Sequence, residues 1–132
     1  MIAQAVRVLK PGGVIAFTDI VRLGPLSADT AQRLRDGMTF TEIESPAGYA
    51  KLLAGNACTV EKCTDLSGEW TRILQQRLAM YRSLKDSTIA KFGVAGFERY
   101  DAAYSFFVSL YESNALGGVR YVARKQAEAQ SP

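Results

Sequence analysis

The residues able to do chemistry in this 132-residue sequence are few, and one class is missing: the chain has no histidine. It cannot build a Ser-His-Asp triad, a Cys-His pair or an imidazole metal site. Two cysteines, Cys58 and Cys63, are too few for a disulfide scaffold. On one regular strand they fall on opposite faces, roughly 16 Å apart at ~3.3 Å per residue. A disulfide reaches only about 7 Å between Cα atoms. Both read as small buried apolar side chains in a reducing cytoplasm. Asp19 follows an apolar run, at the carboxyl end of a strand, where open α/β sheets bind ligands. It reads either as a pocket carboxylate for a substrate amine or as a cap that closes the strand. Trp70, Tyr81, Tyr104 and Phe107 recur at helical spacing. They suit a cage for a methylated ammonium by cation–π attraction, and equally suit a plain core. Arg72 and Arg77 suit a bidentate grip on a substrate carboxylate, or a solvated helix face. No residue earns a catalytic assignment, and no metal is expected.

These side chains need elements to hold them. Residues 2–10 read as a helix, stopped by Pro11-Gly12-Gly13. Val14-Ile15-Ala16-Phe17 reads as a strand buried on both faces, closed by Thr18-Asp19. Ser27 caps a short helix from Ala28 to about Asp36, ended by Gly37. Ser45-Pro46 starts another, with serine as N-cap and proline in its first turn, and Gly55-Asn56 ends it. Ala57 to Thr64 reads as a strand whose alternation is imperfect, because Lys62 falls in the Cys58 and Val60 register. Ser67 caps a long amphipathic helix through Trp70, Ile73, Leu74, Leu78, Tyr81 and Leu84. A break bracketed by Gly93 and Gly96 separates it from a second helix, striped by Phe97, Tyr100, Tyr104, Phe107 and Tyr111. Asn114 to Gly118 reads as a turn, Val119 to Lys125 as a closing strand, and 126–132 as a flexible tail.

Composition bounds the rest. Apolar residues are 48% and charged residues 22%, as in ordinary globular proteins. The longest apolar run, Val14 to Phe17, is far short of the ~20 residues of a membrane span. The net charge is +3. The basic residues are scattered, with no stripe of the kind nucleic acid requires. The expectation is a cytoplasmic protein of one domain with neither a nucleic-acid nor a membrane partner.

Ala5-Val6-Arg7-Val8-Leu9-Lys10-Pro11-Gly12-Gly13 followed by Val14-Ile15-Ala16-Phe17-Thr18-Asp19 resembles the approach to the fifth strand of class I S-adenosylmethionine-dependent methyltransferases. Leu116-Gly117-Gly118-Val119-Arg120-Tyr121-Val122-Ala123-Arg124-Lys125 resembles the last strand of small-molecule N-methyltransferases of the sarcosine and dimethylglycine type. The resemblance covers about residues 1–125. It implies the carboxyl-terminal half of an α/β, truncated Rossmann-like methyltransferase fold. Its three-stranded sheet holds the equivalents of strands five, six and seven, the last antiparallel, beside long helices. It also implies that Met38, Phe40 and Tyr49 lie in or beside the insertion that covers the substrate pocket. With Asp19, Trp70, Tyr81, Tyr104 and Phe107 they form the candidate pocket set.

One part of that family's pattern is absent. No Gly-x-Gly occurs in the chain, and no glycine-rich loop follows a first strand to hold the cofactor. The expectation is a methyltransferase-like domain for which S-adenosylmethionine is the family's cofactor, and which is inactive alone. The alternatives are a dimeric small-molecule-binding module and one half of a two-chain methyltransferase. A first strand without its neighbour leaves an open ladder and bare apolar surface. The expected partner is therefore a second copy of the chain or a complementary amino-terminal half.

Overall fold

The computed structural model describes residues 1–38, 40 and 42–127. The chain runs α1 (Ile2–Arg7), β1 (Val14–Arg22), α2 (Ala28–Met38), α3 (Pro46–Gly55), β2 (Cys58–Asp65), α4 (Ser67–Ser83), α5 (Lys85–Glu112) and β3 (Leu116–Lys125). The strands form one sheet in the order β1-β3-β2, and β3 runs antiparallel to both neighbours. This is the expected three-stranded α/β arrangement with an antiparallel last strand.

Local chemistry sets several boundaries. The Ser27 hydroxyl accepts from Thr30 N at 3.1 Å, and the Ser45 hydroxyl from Gly48 N at 3.0 Å, so both expected caps form. Helix α1 ends at Arg7, and Lys125 Nζ donates to the carbonyls of Val6 at 3.0 Å and Leu9 at 2.8 Å. Val6 O also accepts from Leu9 N at 3.0 Å, so the lysine is a second partner there, and a cation at a helix end complements the helix dipole. Gly12 takes φ +81° in the following turn, a conformation glycine adopts freely.

Four expectations are corrected. Ser67 does not cap α4; it lies inside the helix, and its N–H is taken by Asp65 Oδ1 at 2.9 Å. Gly117 and Gly118 do not belong to a turn but to β3, opposite Val21 and Ile20. The helix break at Gly93 is present, with φ +81°, but α4 has already ended at Ser83. Strand β1 does not close at Asp19; it continues to Arg22, because Gly117 and Leu116 extend the ladder to Val21 and Arg22. The expected tail falls, from residue 128 on, outside the described residues, and the Gln126 N–H donates to Ala57 O at 2.8 Å.

The pairing on β2 resolves the misplaced Lys62. A β-bulge between Val60 and Lys62 shifts the register by one residue. Opposite residues of an antiparallel pair share a face. Cys58 stands across from Lys125, Val60 from Ala123 and Cys63 from Tyr121, so all three share one face. Cys58 and Cys63 are therefore not on opposite faces. Cys58 is buried, while Cys63 is exposed rather than buried.

Helices cover the two sheet faces unequally. On one face Ile2 and Val6 of α1 and Tyr49 and Leu53 of α3 pack on Val21, Val119, Tyr121 and Ala123. On the other, Leu34 of α2 and Phe107, Leu110 and Tyr111 of α5 pack with Leu116, and Trp70 and Leu74 of α4 join them. This second cover stops short of the start of β1. Val14 is 42% exposed, and Ala16 and Thr18 are exposed as well. The strand read as buried on both faces, Val14 to Phe17, is half-buried on one, through Ile15 and Phe17, and exposed on the other.

Candidate functional site

Helix α4 carries Trp70, Ile73, Leu74 and Arg77 on one face, and α5 carries Tyr104, Phe107 and Tyr111 on the face opposite. Spacings of three, four and seven put such residues in one line along a helix. Between the two helices lies a cavity of about 480 Å³, floored by Ile20 of β1 and closed on one side by Phe40. That volume suits a small organic ligand.

Trp70 is set by a glycine. An ideal Cβ at Gly118 would meet the indole of Trp70 at 2.3 to 2.7 Å, so only a residue without a side chain lets the ring lie on β3. Phe40 meets Phe107 with ring centroids 5.5 Å apart, and Tyr104 and Tyr111 flank Phe107 at 6.3 and 5.3 Å. The aromatic wall is continuous, as tilted and edge-on ring contacts favour.

The wall has two polar features. The Tyr111 hydroxyl is buried and has no hydrogen-bond partner. Burial, then the charge of Asp19, pushes its pKa up from the ordinary phenol value. Burial also raises the Tyr104 pKa, against the nearby Arg77 guanidinium, which pulls it down. No carboxylate among the described residues pairs with Arg77.

The candidate residues separate into three places. Phe40, Trp70, Tyr104 and Phe107 converge on the cavity. Met38 packs on the adjoining core without lining it. Tyr81 lines a second hollow of about 460 Å³, with Thr88, Phe92, Gly96 and Tyr100, where it stacks on Phe97 at 5.0 Å. Asp19 and Tyr49 lie on the opposite face of the sheet. There the Tyr49 hydroxyl donates to Asp19 Oδ2, and Asp19 Oδ1 accepts from Ile20 N at 2.8 Å. Arg77 reaches the cavity, and Arg72 does not line it. Ile20, Ile73, Leu74 and Tyr111 also line it. Three of these stand in the helical stripes of the sequence. Ile20 is missed because the sequence reading closes the strand at Asp19, three residues before its end at Arg22.

No protein-family model matches the chain, and no curated protein sequence resembles it. Solved structures do share its fold. A cyclopropane synthase of Mycobacterium tuberculosis aligns over 94% of this chain and 48% of its own, with a TM-score of 0.81 at 19% identity. A sarcosine/dimethylglycine-type methyltransferase of Galdieria sulphuraria aligns over 97% and 47%, with a TM-score of 0.81 at 15% identity. A phosphoethanolamine N-methyltransferase of Haemonchus contortus, in complex with phosphomonomethylethanolamine and S-adenosylhomocysteine, aligns over 95% and 29%, with a TM-score of 0.78 at 15% identity. The fold is therefore that of S-adenosylmethionine-dependent methyltransferases. The chain spans about half the length, or less, of these neighbours.

The described residues do not fit that cofactor. A nucleotide cradle needs a strand that runs through a glycine-rich turn into a helix N-terminus. Two junctions run from strand to helix, 23–27 and Leu66. The first holds a single glycine, Gly24, and its helix start is occupied by the Ser27 cap. The second is one residue long, and Asp65 fills its helix start. The Ser67 N–H is therefore already taken and is not free for the cofactor's methionine carboxylate.

Proposed function

We propose that this chain is the substrate-side, carboxyl-terminal half of an S-adenosylmethionine-dependent methyltransferase-like domain. These 132 residues alone do not catalyse methyl transfer. The observation that carries this is the pairing of a methyltransferase fold over nearly the whole chain with strand-to-helix junctions that lack a cofactor cradle. Methyl transfer from a sulfonium depends mainly on alignment of the two reactants. A chain that holds the acceptor but not the donor supplies half of that alignment. The cavity at Trp70 is the acceptor site in this reading, and the cofactor cradle comes from protein outside these residues. No helix among the described residues is long and apolar enough to cross a membrane. Two free thiols fit work in a reducing cytoplasm.

Isothermal calorimetry of the purified 132-residue chain with S-adenosylmethionine tests the reading. No saturable heat is expected up to millimolar cofactor. Micromolar binding would overturn it.

A second copy of the chain is the partner favoured for the isolated molecule. In β1 the even-numbered residues direct their N–H groups away from β3. Asp19 Oδ1 takes that of Ile20, and Glu44 O takes that of Arg22 at 3.0 Å. Val14, Ala16 and Thr18 have no backbone partner on that edge among the described residues. An open edge beside exposed Val8 and Val14 invites strand addition.

A further inference from the structure

We infer that the ligand of the Trp70 cavity is an amphiphilic anion, an apolar body carrying one carboxylate or phosphate group that Arg77 holds. This rests on reading the cavity as the acceptor site, and it replaces the methylated ammonium suggested by the aromatic residues alone. The wall is made of Ile20, Phe40, Trp70, Ile73, Leu74 and Phe107, which offer no charge and no side-chain hydrogen bond beyond the indole N–H. Such a lining selects an apolar body.

Charge decides the other end. An ammonium cage works when the rings are the only electrostatic feature, or when a carboxylate joins them. Here the one ionic group on the wall is Arg77, a guanidinium that stays protonated. The carboxylate that would have served an amine, Asp19, is committed to Tyr49 and Ile20 across the sheet. The three ion pairs among the described residues use Arg22, Arg82 and Arg124, so no carboxylate among them neutralises Arg77, whose guanidinium donates to the Tyr104 hydroxyl and keeps further N–H groups for a ligand. The guanidinium repels a cation and offers an anion two parallel hydrogen bonds. The Tyr104 hydroxyl stands beside it as a further donor.

Trp70 is the only tryptophan of the chain, so its emission reports this cavity directly. The test titrates the 132-residue chain with decanoate, decyl phosphate, 1-decanol and decyltrimethylammonium, each below its micelle-forming concentration. One or both acids should bind about tenfold more tightly than the alcohol, as a charge-assisted hydrogen bond at an open mouth supports. The ammonium should bind more weakly than the alcohol. Arg77→Gln should bring the acids to the level of the alcohol, Arg77→Lys should recover part of the preference, and Arg72→Gln should leave it intact. Arg77 is exposed, so these variants retain the fold. An ammonium that binds as tightly as the acids, or an acid preference that survives Arg77→Gln, overturns the assignment of charge. Failure of all four probes overturns the cavity as a ligand site. Neither result alters the separate calorimetric test of the missing cofactor cradle.

Discussion

Gly118 lies directly beneath Trp70, with the indole ring where a Cβ would stand. This one contact joins β3 to α4 and fixes a wall of the cavity. Gly118→Ala forces the ring or the strand to move, and overpacking of this kind costs about 1–3 kcal/mol. The expected outcome is a lower melting temperature together with a shift in tryptophan emission. Gly68→Ala, in the open first turn of the same helix, is the control. It should be neutral or stabilising by up to about 1 kcal/mol. Equal effects from the two variants would contradict the packing described.

The Tyr49 hydroxyl donates to Asp19 inside the α3 face of the sheet. Burial first, then that bond and the Asp19 charge, raises the Tyr49 pKa. Burial and the neighbouring Cys63 push Tyr121 up to about 12. A phenol with a higher pKa in the folded state binds its proton more tightly there. Its contribution is complete below the unfolded value of about 10 and is lost as pH climbs toward the folded value. Urea midpoints should stay level to about pH 9 and fall between about pH 10 and 12. Tyr49→Phe should cost about 1–2 kcal/mol at neutral pH and make the alkaline fall shallower. A slope unchanged by the substitution would remove Tyr49 from this account.

Ala16 sits on the outer edge of β1 with its N–H directed away from β3. Proline is tolerated at such a position, because the ladder to β3 loses no donor. Ala16→Pro should therefore keep the far-ultraviolet circular dichroism while weakening self-association at least tenfold. Sedimentation velocity on both proteins measures this. A wild-type chain that sediments as a monomer at micromolar concentration would contradict the proposed strand addition.

The two thiols differ in access. Cys63 is exposed, and Cys58 is 4% exposed. A thiol reagent should modify one cysteine of the native protein rapidly, and the second only as fast as the fold opens. Cys63→Ser should abolish the fast phase, and Cys58→Ser should leave it. Two equally fast phases would contradict the burial of Cys58 against the α1–α3 side of the sheet.

The sequence determined the local features. The Ser27 and Ser45 caps, the break at Gly93, the amphipathic stripes of α4 and α5 and the methyltransferase-like turn before β1 depend on residues within a few positions of one another. Short-range sterics and hydrogen bonding settle them. That no Gly-x-Gly occurs in these residues is legible in the same way, because a glycine-rich turn is a local pattern.

Tertiary structure decided everything that needs two elements at once. Gly117 and Gly118 read as a turn until Ser67 and Trp70 came to lie against them. Cys58 and Cys63 read as opposed until the pairing of β2 with β3 inserted a bulge. Asp19 and Trp70 looked like parts of one pocket, yet the pleat of the sheet sends them to opposite faces. Arg72 and Arg77 looked equivalent until helix α4 turned only Arg77 into the cavity. A side chain's partner across a sheet or between helices depends on register and rotation, and both are fixed only when distant segments pack together.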